Sequence, residues 1–129
     1  MSERKVIVTG KAPTPVGPYS QAIKVNGMIF TAGQIGLDKS TGVLVQDSIE
    51  NETRQVLENV KAILAGAGSS MSEVVKATVF ITDMKTFQKM NSIYGQYFNE
   101  NPPARSCVEV GALPRGARIE IETIAVSKE

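Results

Sequence analysis

A chain of 129 residues is long enough for one domain, residues 1–129, that buries roughly two thirds of its unfolded surface without staples. Fourteen Lys and Arg against 13 Asp and Glu leave no basic excess to neutralise a row of phosphates, which argues against nucleic acid as a partner. A single Cys excludes an internal disulfide, and the lack of any His excludes Ser-His and Cys-His catalysis, histidine metal sites and the usual proton shuttle.

No apolar run has the length of a signal h-region or a membrane span, so we expect a cytoplasmic protein with no membrane partner. Lys5 to Val8 predicts a short strand. Ala12 to Gln21 carries three prolines and one glycine and predicts a stiff, irregular loop. Within it Tyr19 is either an aromatic plug packed on the core or a ligand contact, since Tyr has both an apolar ring and a polar tip. Ala22 to Val25 and Met28 to Gly33 flank Asn26-Gly27, a pair that suits a hairpin turn needing positive φ at both positions. The second strand ends in the small residues Thr31, Ala32 and Gly33. Gly33 there is either a bulge or a point of close approach for a ligand.

After a turn at Asp38 to Gly42 and a brief run Val43 to Val45, Asp47 or Ser48 can cap a helix. Its apolar positions Val56, Leu57, Val60, Ile63, Leu64 and Ala67 recur at helical spacing, and Gly66 and Gly68 stop it. Val74 to Ile81 is apolar on both faces and predicts an interior strand. Asp83 then caps a second helix with Met84, Phe87, Met90, Tyr94, Tyr97 and Phe98 as its buried stripe. Asn91 shares that stripe, either as a core amide bonded to neighbouring backbone or as a ligand contact. Asn101-Pro102-Pro103 ends the helix and launches a strand.

The order gives an α+β or α/β fold in which right-handed crossovers make Met28 to Gly33, Val74 to Ile81 and Arg105 to Val110 parallel, with Ile119 to Val126 running against them. Two helices can cover only one face of such a sheet. Val74 to Ile81 and Ile119 to Val126 are nevertheless apolar on both, so the second face calls for another copy of the chain.

Two of these strands carry charges in apolar company. Alternation places Arg105, Cys107 and Glu109 on one face of their strand, and Glu120 lies between Ile119 and Ile121. A charge so placed is costly to bury unless paired or used. The planar fork of Arg105 suits a carboxylate, and Glu120 could orient or deprotonate a water. A plain salt bridge between them, or from Arg105 to Glu109 or Glu122, fits the spacing equally well. Cys107 gains acidity if Arg105 dominates its surroundings, but it has no His to serve it as a nucleophile. Arg115, Arg118 and Lys11 read as solvated surface.

Pro103-Ala104-Arg105-Ser106-Cys107-Val108, Gly111, Leu113 and Ile119-Glu120-Ile121 resemble the C-terminal signature of the RidA/YjgF family of enamine/imine deaminases. Gly17-Pro18-Tyr19-Ser20-Gln21-Ala22, Ala32-Gly33-Gln34 and Thr53-Arg54-Gln55-Val56-Leu57-Glu58-Asn59 match it too, so the likeness spans essentially the whole chain. The resemblance implies a chorismate-mutase-like mixed sheet with two helices on one face, a homotrimer, and pockets between neighbouring subunits. It implies hydrolysis of 2-aminoacrylate and 2-iminobutanoate to 2-oxo acids and ammonia, with no cofactor. By the same resemblance Arg105 binds the substrate carboxylate and Glu120 positions the attacking water. Tyr19, Gly33, Asn91 and Cys107 then line the pocket, together with Thr31, which stands where many relatives have serine. An endoribonuclease acting on messenger RNA, or a non-catalytic module for small carboxylates or regulation, are the alternatives.

Overall fold

The structure, a computed structural model, describes residues 3–128. Strands β1 (Lys5–Ile7), β2 (Ala22–Val25), β3 (Met28–Thr31) and β4 (Gln34–Ile35) precede helix α1 (Ile49–Gly66). Strand β5 (Val74–Ile81), helix α2 (Phe87–Tyr97), and strands β6 (Ala104–Glu109) and β7 (Ile119–Val126) complete an α+β order. One sheet runs β1-β2-β3-β7-β5-β6, with β4 also pairing β7. Strands β3 and β5 are each antiparallel to β7, and β5 and β6 pair in parallel, so β3, β5 and β6 share one direction as the crossovers required. The chain order alone did not place β7. Its two apolar faces put it in the middle, between β3 and β5.

Local chemistry sets the elements. Asn26 and Gly27 both take positive φ, 54° and 74°, and close the β2–β3 hairpin. Ser48 caps α1 by accepting from the Asn51 amide, and Val56, Leu57, Val60, Ile63, Leu64 and Ala67 are all buried. Three expected boundaries move. Strand β3 ends at Thr31 rather than Gly33, because the Ala32 amide turns back to the Gln21 carbonyl. Asp83 accepts from the nearby Lys85 amide and opens a 3-10 turn, Met84–Thr86, so α2 starts only at Phe87 and Met84 is left exposed. The run Val43 to Val45 forms only an isolated bridge between Leu37 and Leu44.

Both helices pack on one face, where Ile29, Ala77, Val79, Ile81, Ile119, Ile121 and Ala125 meet the α1 stripe with Met90, Ile93 and Tyr94 of α2. The opposite face has no helix. Register and pleat put Ile23, Met28, Phe30, Phe80, Val108, Ile124 and Val126 there, with Phe30 43% and Val108 42% exposed. Among the described residues no helix is long and apolar enough to cross a membrane.

Candidate active site

Between Phe30↔Ile124 and Gln34↔Ile121, the β3–β4 segment advances four residues (34 − 30) while β7 advances three (124 − 121). The extra residue makes a bulge that re-aims the backbone over β7. Gly33 sits in it, and a Cβ there would lie 2.0 Å from Glu120 Oε2 and 2.8 Å from its Cδ. Bulge and close approach are thus the same feature: the missing side chain is the space the Glu120 carboxyl occupies.

Around this pair opens a cavity of about 350 Å³, lined among others by Pro13, Val16, Tyr19, Gly33, Pro114, Arg115 and Glu120. The irregular loop bearing Tyr19 is held by Gln21. Its buried amide accepts from the Thr9 amide at 2.7 Å and donates to the carbonyls of Thr9 and Pro13 at 3.1 and 3.0 Å. A side chain with fixed partners thus substitutes for regular secondary structure. Burial first, then the neighbouring Glu122 carboxylate, raise the proton affinity of Glu120 above that of an ordinary glutamate.

Arg105 lies elsewhere. Its register partner is Ala77, on the helix-covered face, whereas Glu120 pairs with Phe80 on the uncovered face. The two charges of one chain therefore stand on opposite sides of the sheet and form no salt bridge with each other. Arg105 is nonetheless fixed: one guanidinium nitrogen donates to Asn91 Oδ1 at 2.7 Å, and its carbon stands 4.7 Å and 5.5 Å from the ring centroids of Tyr94 and Phe87. Two aromatic rings and one amide carbonyl hold the fork, and its other donors have no protein partner among the described residues. Asn91 is therefore neither a backbone-bonded core amide nor idle, since it orients Arg105. Cys107 is half-buried beside the core on the same face, and burial outweighs the Arg105 charge to push its thiol up, so the expected gain in acidity is reversed.

The structure brings Tyr19, Gly33 and Glu120 into one group, and Asn91 and Arg105 into another, with Cys107 on the same strand face as Arg105. Thr31 joins neither. It is buried, and its hydroxyl lies 3.0 Å from Thr123 Oγ1 and accepts from the Thr123 amide at 2.9 Å. Of the two arginines assigned to solvated surface, Arg115 is exposed as expected, while Arg118 is tied down. Arg118 Nε donates to Glu52 Oε1 at 2.7 Å, its amide donates to Glu52 Oε2 at 2.8 Å, and Glu52 is wholly buried. Arg115 lines the cavity. Glu52 had a signal in the sequence, since it stands four residues before Val56 on the buried stripe of α1.

The fold is a mixed sheet with both helices on one face, a carboxyl held over a glycine on the other, and an arginine clamped between two rings on the helix side. The endoribonuclease L-PSP profile matches residues 9–127, and the chain belongs to that family, the RidA/YjgF family of the sequence resemblance. It is 54% identical to a RutC family protein of Pyrococcus horikoshii, over 95% of this chain and 97% of that one. It is 49% identical to the human 2-iminobutanoate/2-iminopropanoate deaminase, over 95% of this chain and 90% of the relative. The crystal structure of Escherichia coli TdcF with bound serine superposes with a TM-score of 0.92 at 43% identity, covering 96% of this chain and 99% of that one.

Proposed function

We propose that the protein is a hydrolase of reactive enamine and imine intermediates, taking 2-aminoacrylate and 2-iminobutanoate to 2-oxo acids and ammonia. Relatives of nearly half-identical sequence bear that activity in their name, and a relative of the same fold binds a small amino acid. The observation that carries the reading is the preparation of both charges: a fork clamped with donors to spare, and a half-buried carboxyl of raised proton affinity above a glycine.

Arg105 and Glu120 of one chain point away from each other, so a site using both draws them from two copies. The uncovered apolar face supplies the contact surface. We assign the site to the subunit interfaces of a homotrimer of chorismate-mutase-like architecture, acting in the cytoplasm where pyridoxal-phosphate-dependent dehydratases release the substrates. Arg105 holds the substrate carboxylate with two parallel hydrogen bonds. The enamine tautomerises to the imine, whose carbon then accepts a water oriented by Glu120. Glu120 takes a proton from that water and returns it to nitrogen. The carbon–nitrogen bond breaks, ammonia leaves with the hydrogens of the water, and its oxygen stays as the keto group. Tyr19 and Gly33 shape the Glu120 side, Asn91 and Cys107 the Arg105 side, and Thr31 supports the wall through Thr123.

In a coupled threonine dehydratase assay the wild-type chain accelerates release of the keto acid, and Arg105→Ala abolishes the acceleration through several kcal/mol of lost transition-state binding. A variant as active as the parent would overturn the assignment. The serine bound by the Escherichia coli relative also suits a carboxylate-binding module, which binding without turnover by the wild type would establish. The family description names an endoribonuclease, and RNA cleavage that persists through purification and vanishes in Arg105→Ala would favour that activity instead.

A further inference from the structure

Arg115 is the one cationic side chain among the residues lining the cavity that holds Glu120. Its backbone is left-handed, φ 59° and ψ 21°, a conformation that costs a non-glycine residue about 1 kcal/mol or more. Strain of this kind persists only where surrounding contacts impose it. Here they do: Gln46 Nε2 donates to the Gly116 carbonyl at 2.8 Å, Arg118 donates back to the Gln46 carbonyl at 3.0 Å, and Arg118 is anchored on buried Glu52. The turn is thereby pinned from both sides. Its guanidinium, by contrast, has no hydrogen-bond or ion-pair partner among the described residues. The fold thus fixes the base of an exposed arginine, without a protein partner for its donors, in the lining of the cavity that holds Glu120.

We propose that Arg115 is a specificity residue that binds a second, distal carboxylate, so that the site takes dicarboxylic 2-imino acids, the imines of acidic amino acids, besides monocarboxylic ones. The proposal rests on the deaminase reading above. The shared α-carboxylate goes to Arg105 and fixes the imine carbon. A carboxylate one or two carbons further along then lies on the Glu120 side, where Arg115 offsets its repulsion from Glu120 and supplies charge-assisted hydrogen bonds. The reaction balances as before, water in and ammonia out, with the distal carboxylate unchanged.

The test generates the imines of an acidic and of a short apolar amino acid in situ with amino-acid oxidases, with semicarbazide competing for the imine. The ratio of kcat/KM for the two classes is the readout. We expect the wild type to hydrolyse both, and Arg115→Ala to lower the dicarboxylic-to-monocarboxylic ratio about tenfold or more. Arg115→Lys, which keeps the charge, retains most of the ratio. Arg115→Asn, whose residue type suits a left-handed backbone, lowers it like Ala and separates lost charge from a disturbed turn. Equal losses on both classes in the Ala and Asn variants would overturn the proposal, because Arg115 would then serve the shared carboxylate or the loop. Wild-type activity on monocarboxylic imines alone would overturn it and leave the deaminase reading standing. Activity on neither class would overturn both.

Discussion

Replacing Gly33 with alanine tests whether the Glu120 carboxyl must sit where it does. The added methyl would lie 2.0 Å from Glu120 Oε2, 2.8 Å from Cδ and 3.0 Å from Cγ, against an ordinary contact of 3.4 Å or more. The carboxyl oxygen must therefore retreat by about 1.4 Å (3.4 − 2.0). Nothing in the backbone opposes the substitution, since Gly33 is not among the positive-φ residues. Glu120 is half-buried beside an open cavity and can swing into it, so folding stability should hold or rise by up to ~1 kcal/mol from lost unfolded-chain entropy. Activity has no such freedom. A displacement of about 1 Å from a productive geometry costs roughly 100-fold, about 2.7 kcal/mol of barrier, and here the loss should fall on kcat. Gly95→Ala, whose methyl meets nothing within 4 Å on α2, is the control and should keep full activity. Steady-state kinetics with a denaturant melt of each variant decides the matter. A Gly33→Ala protein with kcat/KM within twofold of the parent would refute the placement of Glu120 at the reacting centre.

Two further substitutions probe the electrostatics. Removing the Glu122 charge with Glu122→Gln relieves the second cause of the raised proton affinity of Glu120, so the acid limb of the kcat/KM profile should move to lower pH while burial keeps it above the ordinary carboxylate range. Glu122 is exposed, so the displacement between parent and variant should shrink in high salt, and an unmoved limb would count against Glu120 as the working base. Arg118→Ala takes the guanidinium donor and its charge from wholly buried Glu52 but leaves the Arg118 backbone amide bonded to it, and should destabilise by about 1–3 kcal/mol in urea melts. Glu52→Gln should cost clearly less, because the Arg118 side chain is 39% exposed and reaches water; the reverse order would contradict the geometry.

The periodic parts of the chain were legible because a single interaction decides each. The α1 stripe is set by burial, the β2–β3 turn by the φ requirement that Asn26-Gly27 meets, and the shared direction of β3, β5 and β6 by crossover handedness. What escaped depends on contacts between distant segments. Arg115 and Arg118 are three residues apart in a polar turn and look alike in sequence, yet Arg118 is bound to a helix more than sixty positions earlier while Arg115 is exposed and lines a cavity. Nothing local separates them. Cys107 failed for a different reason: the neighbouring charge is visible in sequence, but the burial that outweighs it is not. The relation of Arg105 to Glu120 was half legible. Alternation gave each a face of its own strand, but only the register of β5 with both neighbours shows that these are opposite faces of one sheet.

That opposition gives the two-copy site a consequence that a one-chain site lacks. Arg105→Ala and Glu120→Gln should each be inactive alone, because either removes one charge from every site. Co-expressed in equal amounts, the two variants assemble at random. A site that takes its arginine from one subunit and its acid from the next is intact when the first subunit is Glu120→Gln and the second is Arg105→Ala. In a closed ring that combination arises in about one half times one half, a quarter, of the interfaces. The mixture should therefore recover about a quarter of wild-type kcat with an unchanged KM, since the restored sites are chemically complete. A site built within one chain recovers nothing, for each chain then carries its own defect wherever it sits. Mixing the purified variants after assembly, without unfolding, is the control. Activity that appears only when chains are exchanged before assembly assigns the two charges to neighbouring subunits, and a mixture as inactive as its components would refute the division.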